Sequence, residues 1–275
     1  MIPPYLMAAS ILGSYISSSS PDEEAVAETV QQLTQGYSAT PKDDFLWSFW
    51  NTLVTKTVPS LAESDDESLK FGPFPSSPAL DRLVLLVKEL KKTEVKEIEA
   101  WGERKILWKD LPLFGPQVRE LWDKDPTIGG NKTVAPVADV DETEAKKWLV
   151  SMKFIISLVR EEVTELDHLP VWSLRSALES ESTPGGKRDV SASVAAMWLA
   201  ECGDKIWNKC ATGEEPDGPQ KQFTKQGKLY GGPVWYNKER WEFWKQGLEK
   251  LKGDGMVGQD TKDRIAQALD VMNRV

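Results

Sequence analysis

The sequence has few residues that could bind a metal: one histidine and two cysteines among 275 residues. A structural zinc site takes four nitrogen or sulfur ligands, so most zinc chemistry is excluded. Cys202 and Cys210 lie eight positions apart in one expected helix, about 12 Å along its axis, which is too far for a disulfide bridge. No apolar run reaches the roughly 18–20 residues that a membrane helix needs. We therefore expect a cytoplasmic protein with reduced thiols, no metal, no cofactor and no membrane segment.

Motifs of several enzyme classes are also missing. His168 is the sole imidazole, and no Gly-x-Ser-x-Gly elbow accompanies it, so a serine hydrolase triad is not indicated. His168 stands just before Pro170, where a capping or surface role is the simpler interpretation. A phosphate-binding loop of the Gly-x-x-x-x-Gly-Lys type is absent as well. The sequence shows no recognisable nucleophile.

The charge is negative overall but unevenly distributed. The formal net charge is −9, yet residues 219–252, here called the basic segment, carry eight Lys or Arg against three Glu. A solvated basic helix face is the simpler interpretation, and a binding site for a polyanion is the other. Under the second interpretation, the residues expected to contact the polyanion are Lys221, Lys225, Lys228, Arg240 and Lys245. The polyanion considered below is tRNA.

Helix signals recur along the chain. A hydroxyl residue followed by proline, as in Ser77-Pro78, is typical of a helix start, and Asp141 precedes Glu144 by the spacing of a capping box. Apolar residues follow at helical spacing. No segment shows the sustained alternation of apolar and polar residues that is typical of a β-strand. The sequence predicts an all-α fold: a single-domain bundle of about ten helices over 20–275, after a flexible N-terminus over 1–19. Later helices are expected near 94–108, 116–124, 170–180, 189–210, 237–252 and 260–273.

Tryptophan is abundant, with 12 residues. Trp241 and Trp244 share a helical face with Leu248 and Leu251, so we expect both indoles to be buried. Aromatic residues interleaved with lysines can also bind single-stranded nucleic acid by stacking. Because the spacing is helical, core packing is the preferred interpretation.

Two groups of residues are candidates for binding a charged substrate. Arg175 and Glu179 are four positions apart on an expected helix that also carries Trp172. Glu201 lies three residues after Trp198, and a carboxylate beside an indole could hold a guanidinium or ammonium group. The alternatives are a half-buried ion pair for Arg175 and Glu179, and a solvent-facing side chain for Glu201.

The chain resembles the fungal family catalogued as domain of unknown function 3632 over most of residues 20–275. The most specific segment is Gly232-Pro233-x-Trp235 with Glu239-Arg240-Trp241-x-Phe243-Trp244-Lys245. The others are Trp101-Gly102, Leu107-Trp108-x-Asp110-Leu111-Pro112-Leu113-Phe114 and Trp172-Ser173-Leu174-Arg175-x-Ala177-Leu178-Glu179. This chain departs from the family in a shorter approach to Arg240, without a glycine-rich insert. The resemblance implies a fungal, soluble, helical protein and brings no established catalytic residues.

We further hypothesise that the chain is similar to fungal arginine-containing cyclodipeptide synthases, which join two amino acids delivered on tRNA. Such a secondary-metabolism enzyme would bind aminoacyl-tRNA through the basic segment. Glu179 or Glu201 would hold the arginine guanidinium, and a hydroxyl nucleophile or a general base would promote aminoacyl transfer. The acidic net charge argues against this hypothesis. The alternatives are a non-catalytic helical module that binds a protein or an apolar ligand, and another tailoring enzyme of fungal natural-product biosynthesis.

Overall fold

A computed structural model describes residues 3–18, 23–39, 42–63, 77–93, 96–127, 140–181, 185–213 and 223–275. Helices dominate these ranges, which confirms the all-α prediction. No helix in them is long and apolar enough to cross a membrane. The first helices are α1 (Pro4–Ser17), α2 (Glu23–Ala39), α3 (Lys42–Thr52), α4 (Val58–Ser60), α5 (Pro78–Lys91) and α6 (Phe114–Trp122). The later ones are α7 (Glu142–Arg160), α8 (His168–Leu174), α9 (Gly186–Thr212), α10 (Lys238–Lys252) and α11 (Gln259–Met272).

The predicted helix starts are formed by side-chain caps. The Ser77 hydroxyl accepts a hydrogen bond from the Leu80 N–H at 3.1 Å, and proline occupies the first helical position. The Asp141 carboxylate accepts one from the Glu144 N–H at 3.0 Å. Each cap satisfies a backbone donor that has no partner within the helix.

Residue contacts divide the chain into two compact units. The first unit comprises Met1–Leu69, Ser76–Asp125 and Lys146–Phe154, and the second comprises Lys70–Pro75, Pro126–Ala145 and Ile155–Val275. That residues 20–275 form a single domain stays a prediction.

The N-terminal residues of the first unit differ from the sequence expectation. The sequence predicts a flexible segment over 1–19, whereas Pro4–Ser17 form α1. Ala8, Leu12 and Tyr15 of this helix are buried, and α1 packs against α3. Burying one apolar stripe stabilises a helix whose own sequence pattern is weak.

The core of the first unit is aromatic. Trp50 contacts Phe49, Trp108 and Phe114, with ring centroids 4.5, 6.1 and 5.0 Å away. The Trp50 indole N–H donates to the Pro112 carbonyl oxygen at 2.8 Å. This bond satisfies a polar atom in a fully buried side chain and fixes the chain leading into α6.

The prediction of a helix at 94–108 is wrong. The chain there forms a two-stranded antiparallel hairpin of β1 (Glu97–Ala100) and β2 (Glu103–Ile106). Side chains of β1 alternate between exposed and buried, and Trp101 and Gly102 connect the strands with φ values of 50° and 78°. Two consecutive positive φ values are those of a type I′ hairpin turn and are incompatible with a right-handed helix. Four residues of alternation are too few for the sequence pattern to reveal.

The second unit is built around α9, which packs against α8, α10 and α11. Met197, Trp198, Cys202 and Ile206 of α9 are buried. Cys202 and Cys210 form no disulfide, as the spacing predicted, and both free thiols are buried. A π-helical turn, Arg175–Glu179, continues α8 and brings its last residue into the interior.

Candidate functional site

The candidate site in the second unit is assembled from the π-helical turn Arg175–Glu179, the loop 223–230 and the helix α10. Helix α10 begins at the Asn237 cap, whose side-chain oxygen accepts from the Arg240 N–H at 2.8 Å. This cap fixes the first turn of α10, which carries Arg240. Both Arg240 and Glu179 have no solvent-exposed surface.

Arg240 and Glu179 form a two-point ion pair. The Arg240 Nε donates to Glu179 Oε1 at 2.6 Å, and Nη2 donates to Oε2 at 2.9 Å. The remaining guanidinium hydrogens go to backbone carbonyl oxygens of the loop and of the approach to α10. These acceptors are Thr224 at 3.1 Å, Trp235 at 3.1 Å and Lys225 at 3.3 Å. All five guanidinium donors are therefore used.

The Glu179 carboxylate is equally well satisfied. Oε1 also accepts from the Trp244 indole N–H at 2.7 Å, and Oε2 from the Gly227 backbone N–H at 2.8 Å. The Arg240 guanidinium lies 5.3 Å from the Trp244 ring and 5.5 Å from the Tyr230 ring, within cation–π range. Two bonds reach each carboxylate oxygen, so this network uses the acceptors of Glu179 without a ligand.

Arg175, expected as the partner of Glu179, binds elsewhere. Its Nη1 donates to the Lys225 carbonyl oxygen at 3.1 Å, and burial lowers the pKa of its guanidinium. The neighbouring Trp172 donates its indole N–H to the Phe223 carbonyl oxygen. Arg175 and Trp172 therefore bind the loop 223–230, as Glu179 and Arg240 also do.

Three rings form an aromatic patch at the start of this loop. His168 and Trp172 have ring centroids 4.7 Å apart, and Phe223 lies 6.3 and 6.2 Å from them. Phe223 is 39% exposed. We call His168, Trp172 and Phe223 the aromatic patch.

A pocket of about 390 Å³ lies beside the same π-helical turn. Its apolar wall includes Leu178, Leu229, Phe243 and Leu251. Its polar lining is formed by Ser176, Ser180, Arg188, Ser191, Gln246 and Lys250.

The polar groups of the pocket differ in what they already bind. Ser180 and Ser191 donate their hydroxyls to backbone carbonyl oxygens, and Arg188 pairs with Asp254 at 2.7 Å. In the part of the chain that the structure describes, the Ser176 hydroxyl and the Lys250 ammonium have no hydrogen-bond or ion-pair partner. The pocket therefore offers a cation and a hydroxyl to a ligand.

The other expected site residues lie apart from this pocket. Glu201 is paired with Arg160 at 2.8 Å. Trp198 is fully buried in α9, and its indole N–H has no partner among the described residues. Neither residue lines the pocket.

The residues expected to contact tRNA are divided. Lys225 and Lys228 are exposed, and Lys228 makes a 3.5 Å contact with Glu181. Lys245 is half-buried, whereas Arg240 is fully buried in its ion pair. Lys221 lies outside the described residues. Arg240 thus has a structural position, and the exposed lysines stay candidates for contact with an anion.

Sequence reasoning missed Ser176, Arg188 and Lys250 as pocket residues. Ser176 lies inside the 172–179 segment that carried the family resemblance, and Lys250 lies in the basic segment. Nothing in the spacing links them to Arg188, because helix packing brings three separate elements together. Among the described residues, no group of three or more His, Cys, Asp or Glu side chains could hold a metal ion.

Comparison with known proteins identifies a family. The model of the family described as protein of unknown function (DUF3632) matches residues 72–248, more than half of the chain. No curated protein and no solved structure matches the chain.

Proposed function

The chain belongs to the DUF3632 family, and we propose that its second unit binds a small molecule with an anionic end and an apolar body. The observation that carries this proposal is the Lys250 ammonium, which lies beside the apolar wall of the pocket and has no partner among the described residues. This proposal extends one alternative given by the sequence analysis, a non-catalytic helical module that binds a protein or an apolar ligand.

The dimensions and lining of the pocket support a small ligand. Pockets for small molecules are concave, largely apolar and span roughly 300–1,000 Å³. The 390 Å³ pocket lies in that range, with Leu178, Leu229, Phe243 and Leu251 able to cover an apolar chain or ring. Ser176 and Gln246 supply hydrogen-bonding groups next to the cation.

The charges of the pocket lining favour a ligand with one anionic group. Arg188 is already partly neutralised by Asp254, which leaves Lys250 as the uncompensated cation of the lining among the described residues. An ammonium is a compact point charge that binds carboxylate or phosphate without a fixed orientation. A monocarboxylate or a monoester phosphate is therefore the class of ligand that fits.

Octanoate, octyl phosphate and neutral octanol are the probes for this proposal. We expect the two anions, but not octanol, to raise the melting temperature of the protein, because a ligand that binds only the folded state stabilises it. Lys250→Met should abolish this rise. Lys252→Met is the matched control, because Lys252 is exposed on the same helix and lies outside the pocket lining. Equal effects of the two substitutions, or no rise in the wild-type protein, would contradict the proposal.

Aminoacyl-tRNA-dependent transfer is the second candidate function, and the aromatic patch is the observation that favours it. Phe223 and Trp172 could stack with the unpaired bases at the acceptor end of tRNA, while Lys225 and Lys228 contact phosphates. Ser176 adjoins Arg175 in sequence and could present its hydroxyl to an aminoacyl group. Under this proposal the protein is a cytoplasmic fungal secondary-metabolism enzyme of the cyclodipeptide synthase type.

The structure gives arginine selection by Glu179 or Glu201 no support, because each carboxylate is paired with an arginine of the protein itself. The second candidate function is therefore aminoacyl transfer from tRNA, with no amino acid specified. No specific observation favours another tailoring enzyme.

Binding of charged tRNA over a range of salt concentrations tests this second function. Lys225→Gln and Lys228→Gln should each reduce the log–log salt slope by about 0.7–0.9, because each removes one cation that neutralises a phosphate. Lys252→Gln serves as the control for a general change in charge. Retention of no tRNA at low salt, together with no cyclic dipeptide in an expression host, would exclude the synthase function. The octanoate experiment is independent of this result.

A further inference from the structure

The tip of the hairpin in the first unit exposes a large aromatic side chain. Trp101 is 58% exposed, whereas Trp50 and Trp108 of the same unit are almost fully buried. The Trp101 ring packs on the half-buried ring of Trp47 from α3, with centroids 5.3 Å apart and planes inclined by 33°. The Trp47 ring thus packs against the Trp101 ring, which stays in contact with solvent.

Trp101 occupies a position that is unfavourable for its residue type. It is the first of the two turn residues and has φ 50°, a left-handed conformation in which Asn, Asp or Gly is preferred. A bulky residue in this conformation is strained, and such strain persists where the surroundings enforce it. Turn geometry alone therefore does not account for tryptophan at this position.

A carboxylate lies beside the backbone of the hairpin turn. Asp43 Oδ2, from the first turn of α3, accepts from the Trp101 backbone N–H at 3.4 Å. No ion pair to Asp43 or to its neighbour Asp44 occurs in the described ranges. The Trp101 indole N–H also has no partner in those ranges. The site thus combines an exposed π-face with uncompensated negative charge.

We propose that Trp101, Trp47 and Asp43 form a recognition site for a lysine or arginine side chain of a partner polypeptide. The indole face attracts a cation through its quadrupole, and tryptophan is the strongest of the aromatic residues in this contact. The Asp43 carboxylate, bound to the Trp101 backbone N–H, adds an ion pair to this contact. Its charge, which has no ion-pair partner among the described residues, favours a cation over a neutral group. The site lies in the first unit and is independent of the pocket proposed above.

Titration with a peptide tests the proposal on the full-length protein. The probe is acetyl-Gly-Lys-Gly-Lys-Gly-amide, observed through the indole N–H signals of the ¹⁵N-labelled protein. The Trp101 signal is assigned from its loss in Trp101→Phe. We expect the Trp101 and Trp47 signals to shift on addition of this peptide and to shift far less when both lysines are acetylated.

Substitutions distinguish recognition from a structural role. Trp101→Asn introduces a favoured turn residue, so it should raise the melting temperature and weaken peptide binding at least fivefold. Asp43→Asn should also weaken binding. Phe223→Ala, an exposed aromatic substitution in the second unit, should leave peptide binding unchanged.

Several results would overturn the proposal. One is the absence of a shift in the Trp101 signal with the lysine peptide. Another is an equal shift with the acetylated peptide or a larger shift with maltotriose, which would indicate a site for a neutral ligand. A fall in the melting temperature of Trp101→Asn without weaker peptide binding would show that the indole pair is structural.

Discussion

Arg240 binds Glu179 through two hydrogen bonds of 2.6 and 2.9 Å, in an ion pair from which solvent is fully excluded. The two residues are 61 positions apart in the sequence. Their contact joins the π-helical turn after α8 to the first turn of α10 and holds the loop 223–230 between them. The charged pair therefore helps to position this loop, together with the bonds of Trp172 to Phe223 and of Arg175 to Lys225.

Removing one member of this pair should strongly destabilise the protein. Arg240→Met leaves a buried carboxylate without its counter-ion, and Glu179→Leu leaves a buried guanidinium. Each should lower the free energy of unfolding by about 3–5 kcal/mol. Urea denaturation followed by circular dichroism measures this change.

The double variant Glu179→Leu with Arg240→Met is the control for this prediction. It leaves no unpaired buried charge, so we expect it to be more stable than either single variant. Additive losses in the double variant would show that the two side chains act independently and would contradict a coupled pair.

Gly227→Ala should destabilise the protein through a steric clash. A Cβ at Gly227 would lie 2.3 Å from the Glu179 carbonyl oxygen, which is a backbone atom that cannot move aside easily. Overpacking of this kind typically lowers the free energy of unfolding by about 1–3 kcal/mol. Gly231→Ala is the matched control, since a Cβ at Gly231 would have no atom within 4 Å. Equal denaturation midpoints for the two variants would contradict this close approach.

Trp244 is expected to contribute both packing and a hydrogen bond. The sequence predicted that Trp241 and Trp244 are buried, and both are. Trp244→Ala should lower the free energy of unfolding by about 3–5 kcal/mol. Trp244→Phe keeps most of the ring but removes the donor to Glu179, so it should lose about 1–3 kcal/mol. A loss as large for phenylalanine as for alanine in urea denaturation would argue against the packing contribution.

Stability should fall in alkaline solution. Burial raises the pKa of the Cys210 thiol from 9.0 to about 12 and raises the pKa of Tyr236 well above 10.0. Between about pH 9 and 12 the unfolded chain releases protons that the folded chain keeps, so the free energy of unfolding decreases as pH rises. Each such group contributes up to about 1.4 kcal/mol per pH unit.

Urea denaturation between pH 8 and 11 measures this decrease. Below about pH 8 both groups are protonated in the folded and unfolded states, so they add almost no pH dependence there. Cys210→Ala removes one of the two groups and should make the decrease shallower. A pH-independent free energy of unfolding for the wild-type protein over this range would contradict the prediction.

The hairpin shows why part of the fold escaped prediction. The residues 97–106 include several that favour helices, and the alternating pattern covers only four positions. The turn that separates the strands places tryptophan where asparagine is usual, so the strongest hairpin signal is missing. Contacts of the Trp101 ring with Trp47, 54 positions earlier, accompany this unusual turn.

Sequence by itself determined the all-α class, the capped helix starts at Ser77 and Asp141, the burial of Trp241 and Trp244, and the absence of a disulfide between Cys202 and Cys210. These properties follow from residues within a few helical turns of each other. Only the tertiary structure decided that Glu179 binds Arg240 and that Lys250 meets Ser176 and Arg188 in a pocket. Such partners come from separate helices, and their side chains meet only when the helices bury their apolar faces together, an arrangement that local spacing does not encode.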